Sequence, residues 1–167
     1  YLRSLPAHRR ATQVKLQHAW IPTNGFLYLQ KRVPCDKCPL CAAAVETTDH
    51  VRRCNAPAAV SFRRQRLAQL VRELQGINTA PEIIQCWRGR IEVVCGEPDH
   101  DDVGFLLPRS ELHKALSLAR RHQSVLSWEG LLQGRISSKW LEVQACHEKR
   151  RRQETASCNR RDSWDAR

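Results

Sequence analysis

Residues 38–54 read CPLCAAAVETTDHVRRC and hold three cysteines and one histidine within seventeen positions. The spacing is Cys-x2-Cys-x8-His-x3-Cys. Two of the thiols, Cys38 and Cys41, share one tight turn. The other two side chains, His50 and Cys54, are four residues apart and therefore lie on one face of a helix. A turn that faces a helix in this way can bring all four side chains together.

Three thiolates and one imidazole are a ligand set that Zn²⁺ takes in tetrahedral structural sites. Thr47 or Thr48 can cap the helix that carries His50, and the eight residues between Cys41 and His50 suffice to fold that helix back onto the turn. Four protein ligands leave no open position for a catalytic water, so the metal is expected to be structural. The predicted zinc ligands are Cys38, Cys41, His50 and Cys54.

Other interpretations of these cysteines are less favourable. Ordinary buried thiols would explain a single cysteine pair better than metal does, but CxxC followed by HxxxC favours a metal site. A disulfide framework would give His50 no role, and a mostly helical core of this size needs no cross-links. Cys35 forms a second CxxC with Cys38, and the shorter loop to His50 favours Cys38 and Cys41 over it.

The chain is strongly basic, with 28 Lys and Arg against 17 Asp and Glu, which gives a net charge of +11. Arginine outnumbers lysine, which favours bidentate contacts to phosphate and so a nucleic-acid partner. An anionic membrane surface and a merely arginine-rich surface are alternatives that composition leaves open. No apolar run approaches the roughly 18 residues of a membrane span, and no membrane partner is predicted. The predicted phosphate contacts are Arg52, Arg53, Arg63 and Arg64.

Apolar residues recur at helical spacing almost throughout, and no alternating strand pattern is evident. We therefore predict a mainly α fold: a small helical domain around a CCHC zinc knuckle, followed by a helical C-terminal extension. The predicted helix boundaries are Pro22 and Thr23, Gly76, the capping box of Thr79 and Glu82, Gly96, and Ser110. Trp87 and Trp140 lie on apolar stripes and are expected in the core.

The pattern divides the chain into four segments. The predicted segments are a zinc-binding domain at 1–96, a linker at 97–108, a helical extension at 109–150 and a disordered basic tail at 151–167. The chain opens at Tyr1 in what reads as the middle of a helix, so we expect a piece of a longer protein.

The stretch at 38–54 also resembles the zinc-binding region that follows the polymerase domain in reverse transcriptases of non-LTR retrotransposons. The shared features are the CPLC turn, Glu46-Thr47, His50-Val51 and the final Cys54. In the preceding segment the shared residues are Trp20-Ile21-Pro22-Thr23 and Leu27. The resemblance covers residues 8–95, and Cys35 departs from the family pattern, which does not require it.

The resemblance implies a module that grips template RNA or target DNA beside a polymerase. Its implied partners are nucleic acid and the rest of the parent reverse transcriptase. The implied location is the nucleus or cytoplasm of a eukaryotic cell. Both are reducing compartments, and the protein is not expected to be secreted. The chain itself is not expected to be an enzyme: the polymerase's paired aspartates follow a tyrosine, whereas Leu2 follows Tyr1 and Leu29 follows Tyr28.

A second hypothesis is a structural interaction module, in which zinc holds the helices for a protein partner and the charge is incidental. A ubiquitin-ligase cross-brace is disfavoured because it needs about eight ligands. The acidic cluster Asp99, His100, Asp101 and Asp102 could bind a cation or act in acid–base chemistry, but a solvated loop is the better interpretation. The remaining thiols, predicted to be free, are Cys86, Cys95, Cys146 and Cys158.

Overall fold

The computed structural model describes residues 6–18, 20–98 and 110–165. In these ranges the chain forms helices and no strand, with one isolated antiparallel bridge between Lys37 and Val45, which confirms the mainly α prediction. The helices are α1 (Ala7–Gln17), α2 (Asn24–Leu29), α3 (Thr48–Arg53), α4 (Pro57–Gly76), α5 (Pro81–Val94), α6 (Glu111–Val125), α7 (Trp128–Leu132) and α8 (Trp140–Asp165). Most of the predicted linker, with its acidic cluster, lies outside the described residues.

The main hydrophobic core forms where α5, α6 and α8 meet. Its buried members are Ala80, Ile83, Leu116, Ala119, Trp140 and Val143. The indole rings of Trp87 and Trp140 pack edge to face, with centroids 5.7 Å apart, so both tryptophans belong to this core as predicted. The predicted helical extension is therefore packed against α5, the last helix of the predicted zinc-binding segment.

A buried amide fixes the connection between α6 and α8. Gln123 has no exposed surface, and its Oε1 accepts hydrogen bonds from Ser137 N (3.0 Å) and Trp140 Nε1 (3.2 Å). Its Nε2 donates to the carbonyl oxygens of Ser127 (3.1 Å) and Arg135 (2.9 Å). A buried polar group is tolerated when its hydrogen bonds are satisfied, and here all four are made.

Several predicted helix boundaries are confirmed. The hydroxyls of Thr23 and Ser110 accept from backbone amides three residues on, at the starts of α2 and α6. Gly96 has φ +94°, the left-handed conformation that ends α5.

Three boundary predictions are wrong. Helix α1 ends at Gln17, well before Pro22, the predicted end of the first helix. α5 is capped not by Thr79 but by a distant side chain, because Ala80 N donates to Gln144 Oε1 of α8 at 2.8 Å. Gly76 is still helical, and the left-handed residue after α4 is Asn78 (φ 57°), a residue type that tolerates this conformation.

The end of the chain differs from the disordered tail expected from residue 151. Helix α8 continues to Asp165. Residues 151–165 contain no Gly or Pro, and the stretch 151–156 holds two Arg, one Gln, one Glu and one Ala, all of which favour helix even when exposed. No helix among the described residues is both long and apolar enough to cross a membrane.

Candidate metal centre

The structure brings the four predicted ligands together. The Sγ atoms of Cys38, Cys41 and Cys54 and a ring nitrogen of His50 all lie within 4.8 Å of one another. Cys38 Sγ is 3.9 Å from Cys54 Sγ, and Cys41 Sγ is 3.3 Å from His50 Nε2. Cys38 and Cys54 are buried, whereas Cys41 and His50 are partly exposed.

Two of these separations, between Cys38 and Cys54 and between Cys41 and His50, are close to the edges of a metal tetrahedron. Bond lengths of about 2.3 Å to sulfur and about 2.0 Å to nitrogen give edges of ~3.8 Å between two sulfurs and ~3.5 Å between sulfur and nitrogen. The measured separations of 3.9 Å and 3.3 Å lie close to those edges. The group can therefore hold a metal ion, with each residue offering one ligand atom.

The first two ligands lie on the cysteine turn, which we define as residues 36–46. Backbone hydrogen bonds close it: Cys38 N donates to Ala44 O, and Glu46 N donates to Asp36 O, each at 2.8 Å. Ala42 N donates back to Cys38 O, and Ala42 has φ 55°, so the chain reverses sharply after the CPLC sequence. This reversal points both thiols to the same side.

The other two ligands belong to α3 and its end. Thr47, one of the two threonines predicted to cap this helix, accepts a hydrogen bond from His50 N at 3.0 Å. Cys54 is the first residue after the helix, one turn beyond His50. Cys38 and Cys54 also pack with Ala56 and Ala59, so the metal centre forms a small second core with the start of α4.

Helix α2 braces the cysteine turn, a role that sequence reasoning missed. Gly25 N donates to Glu46 O at 3.1 Å, and Asn24 Nδ2 donates to Lys37 O at 3.0 Å. The Glu46 carboxylate accepts from Asn24 N. A Cβ at Gly25 would lie 2.8 Å from Glu46 O, so the close approach needs glycine.

Cys35, the alternative first ligand, lies outside this group. Its side chain is exposed, and its Sγ accepts from Lys37 N at 3.4 Å. The structure thus brings Cys38, rather than Cys35, to the other three ligands.

The thiols differ in acidity. Hydrogen bonds from the Ala44 and Ala43 amides lower the pKa of Cys41 from 9.0 to about 6. Ala56 N also donates to Cys54, but burial and the neighbouring Cys38 and Cys41 thiols outweigh it and raise the Cys54 pKa. One ligand is therefore a thiolate near neutral pH before any metal binds, as metal binding requires.

Arg52 and Arg53, the predicted phosphate contacts on α3, both form ion pairs within the chain. Each pairs with Asp49 at 3.3 Å. Each also reaches Glu129 of α7, Arg52 at 3.8 Å and Arg53 at 3.5 Å. The Arg53 Nε donates to Val94 O at 3.2 Å. The two arginines thus connect α3, the helix that carries His50, to α5 and α7.

Arg63 and Arg64, the predicted contacts on α4, differ from each other. Arg63 Nη1 donates to the carbonyl oxygen of Cys54 at 2.8 Å, which ties α4 to the metal centre. The Arg64 side chain is 74% exposed and forms an ion pair with Glu97 at 3.8 Å. Arg64 is therefore the more accessible of the two to an outside phosphate.

The other described cysteines are free thiols, as predicted. Burial raises the pKa of Cys86 to about 11, and burial also raises the pKa of Cys95. A neutral, partly buried thiol is a poor nucleophile, so nothing marks Cys86 or Cys95 as reactive.

No protein-family model, curated protein or solved structure matches this chain.

Proposed function

We propose that the chain is a zinc-stabilised nucleic-acid-binding module. The observation that carries the proposal is the convergence of three thiols and one imidazole within 4.8 Å of one another on a chain of net charge +11. Zinc is the metal proposed because thiolate-rich tetrahedral sites select it, and four protein ligands give it a structural role. The surplus positive charge supplies the affinity for phosphate.

The arginines beside the metal centre support the phosphate contact. Helix α4 starts at the centre, and every charged side chain in residues 57–72 is an arginine. Arg64 and Arg66 are exposed there. On α3, Arg53 is about half exposed and pairs with two carboxylates. We therefore propose that Arg53 contributes less to phosphate binding than the arginines of α4 do.

We further propose that the module is the region following the polymerase domain of a non-LTR retrotransposon reverse transcriptase, without catalytic activity of its own. Support comes from the CPLC, Glu-Thr and His-Val elements, of which Thr47 caps α3 and Glu46 holds α2. Zinc thiolates persist where thiols stay reduced, so the nucleus or cytoplasm is the proposed location.

A structural protein-interaction module is the second candidate, and a specific observation favours it. Apolar side chains are exposed on the elements around the metal centre, among them Leu29, Leu40 and Val51. Such a surface would bind a protein partner without strong salt dependence.

Metal analysis and a salt series test the proposal together. We expect zinc to co-purify with the chain and to be removed by a chelator. Binding of RNA and DNA oligonucleotides, measured by fluorescence anisotropy, should weaken with a slope of log K against log[salt] steeper than about −2, as for three or more phosphate contacts. A chain with zinc but no salt-dependent binding would favour the second candidate.

A further inference from the structure

We propose that Phe62 and Arg66, on the exposed face of α4, form a stacking platform for an unpaired base. The nucleic acid bound at this point would be single-stranded. The inference rests on the proposed nucleic-acid function and deepens it by naming the form of nucleic acid.

The first observation is an exposed aromatic ring under a cation. Phe62 is 56% exposed and is the only aromatic residue of α4. The Arg66 guanidinium lies over its ring, 5.1 Å from the centroid. The two residues are one helical turn apart and share a face of the helix. A ring and a guanidinium in this arrangement offer flat surfaces on which a base can stack.

The second observation is that the Arg66 guanidinium donates to a neutral side chain. Its Nη1 donates to Gln69 Oε1 at 2.9 Å, and Gln69 Nε2 in turn donates to Glu73 Oε1 at 2.8 Å. Within the described residues Arg66 has no ion pair, unlike Arg53 and Arg64, which contact carboxylates. Its positive charge therefore remains available to an anionic ligand, while its position is restrained.

The third observation is the charge around the ring. Between residues 57 and 72 the charged side chains are Arg63, Arg64, Arg66 and Arg72, with no acidic residue among them. Arg63 anchors this helix to the Cys54 carbonyl, so the platform has a fixed place beside the metal centre. An aromatic ring within such a basic segment fits a nucleic acid better than it fits an apolar protein surface.

Stacking requires a base that is not already paired and stacked within a duplex. Phosphate contacts serve both single strands and duplexes, whereas the Phe62 ring contributes only where a base can leave its neighbours. If Phe62 and Arg66 form this platform, loss of the ring should weaken the binding of a single strand more than the binding of a duplex. A basic surface alone would not produce this difference in affinity.

The test uses the zinc-loaded full chain and compares Phe62→Ala with wild type. Binding of a fluorescent single-stranded oligonucleotide and of a hairpin duplex is measured at one salt concentration. We expect Phe62→Ala to lose at least about fivefold in affinity for the single strand, the lower end of one stacked base, and less than about twofold for the duplex. Phe62→Trp should retain single-strand binding, because indole stacks as well.

Ile77→Ala is the matched control, because Ile77 is also exposed (73%) but lies at the far end of α4. The Ile77→Ala variant should bind the single strand and the duplex as tightly as wild type does. Circular dichroism and zinc content establish that each variant is folded. Equal single-strand binding by Phe62→Ala and wild type would overturn the platform, as would an equal loss for single strand and duplex. Failure of wild type to bind any nucleic acid would instead refute the proposed function.

Discussion

Arg53 of α3 forms an ion pair with Glu129 of α7, with 3.5 Å between Nη2 and Oε1. The two residues are distant in sequence, and the pair joins the helix that carries His50 to the C-terminal extension. Arg52 reaches the same carboxylate at 3.8 Å. Each such surface pair contributes little stability by itself, about 0–1 kcal/mol, but it fixes where the guanidinium groups lie. Glu129 thus occupies two arginines that a phosphate could otherwise contact.

Replacing Glu129 with Gln should strengthen nucleic-acid binding, because the variant keeps the shape of the side chain and removes one of the two carboxylates that pair with each guanidinium group, leaving Asp49. We expect a gain of about two- to fivefold in affinity, the equivalent of one surface ion pair. Fluorescence anisotropy titrations at fixed salt measure it.

Glu92→Gln is the control for the loss of one negative charge, since Glu92 pairs with Arg88 on the exposed side of α5. An equal gain in both variants would assign the effect to net charge alone. A fall in affinity for Glu129→Gln would mean that the carboxylate positions the arginines for binding.

Replacing His50 with Ala should abolish metal binding and unfold residues 34–56, because the buried side chains of that segment, Cys38, Cys54 and Ala56, all pack at the candidate metal centre. Structural zinc in small modules contributes on the order of 10 kcal/mol of folding free energy. Zinc content by elemental analysis and limited proteolysis of this segment measure the loss. Cys35→Ser, at a thiol outside the ligand group, should keep its zinc and its protease resistance.

The acidity of Cys41 predicts selective alkylation in the fraction of metal-free protein that keeps the cysteine turn folded, because the low pKa depends on hydrogen bonds from the Ala44 and Ala43 amides. With a pKa of about 6, Cys41 is mostly thiolate at pH 7, whereas Cys86, with a pKa of about 11, is neutral. Iodoacetamide reacts with the thiolate, so Cys41 should be modified well before Cys86, as peptide mass spectrometry can follow.

The rate at which Cys41 is alkylated should rise with pH. As pH falls through 6, Cys41 takes up a proton and its alkylation should slow, while raising the pH above 7 should accelerate it little. Bound zinc should protect Cys41 near and above neutral pH, where the ligands stay deprotonated. Equal labelling of Cys41 with and without zinc would contradict its assignment as a ligand.

Gln123→Ala should destabilise the α5–α6–α8 core. The substitution leaves buried partners of the amide unpaired, including Trp140 Nε1 and Ser137 N, at a cost of about 2–4 kcal/mol in the free energy of unfolding. Urea denaturation of the zinc-loaded protein measures it. Gln65→Ala, at an exposed position of α4, should change stability by less than about 0.5 kcal/mol.

Features set by neighbouring residues could be predicted from the sequence. The caps of α2, α3 and α6 each depend on a hydroxyl and an amide three residues on, as at Thr47 and His50. The metal ligands lie within seventeen positions, so their spacing alone predicts that they meet. Gly96 ends α5 because few other residues adopt a positive φ easily.

Features that join distant residues could not be predicted in this way. Gln144 caps α5 from 64 residues away, so the local Thr79–Glu82 pattern predicted the wrong cap. The pairing of Arg53 with Glu129 likewise depends on how α7 packs, which no local pattern encodes. A single surface phenylalanine on an otherwise regular helix, such as Phe62, gives no sequence signal of its exposure.

The contacts that close the cysteine turn are nearly all local: α2 to Glu46, Thr47 to His50, and the bonds between Asp36 and Glu46. Within the described residues, this region is tied to the remaining helices by the packing of Cys38 and Cys54 against the start of α4 and by arginine side chains such as Arg53 and Arg63. Amide hydrogen exchange should therefore divide the molecule into two cooperative units. A chelator would melt one unit and leave the protection of α5, α6 and α8 largely intact.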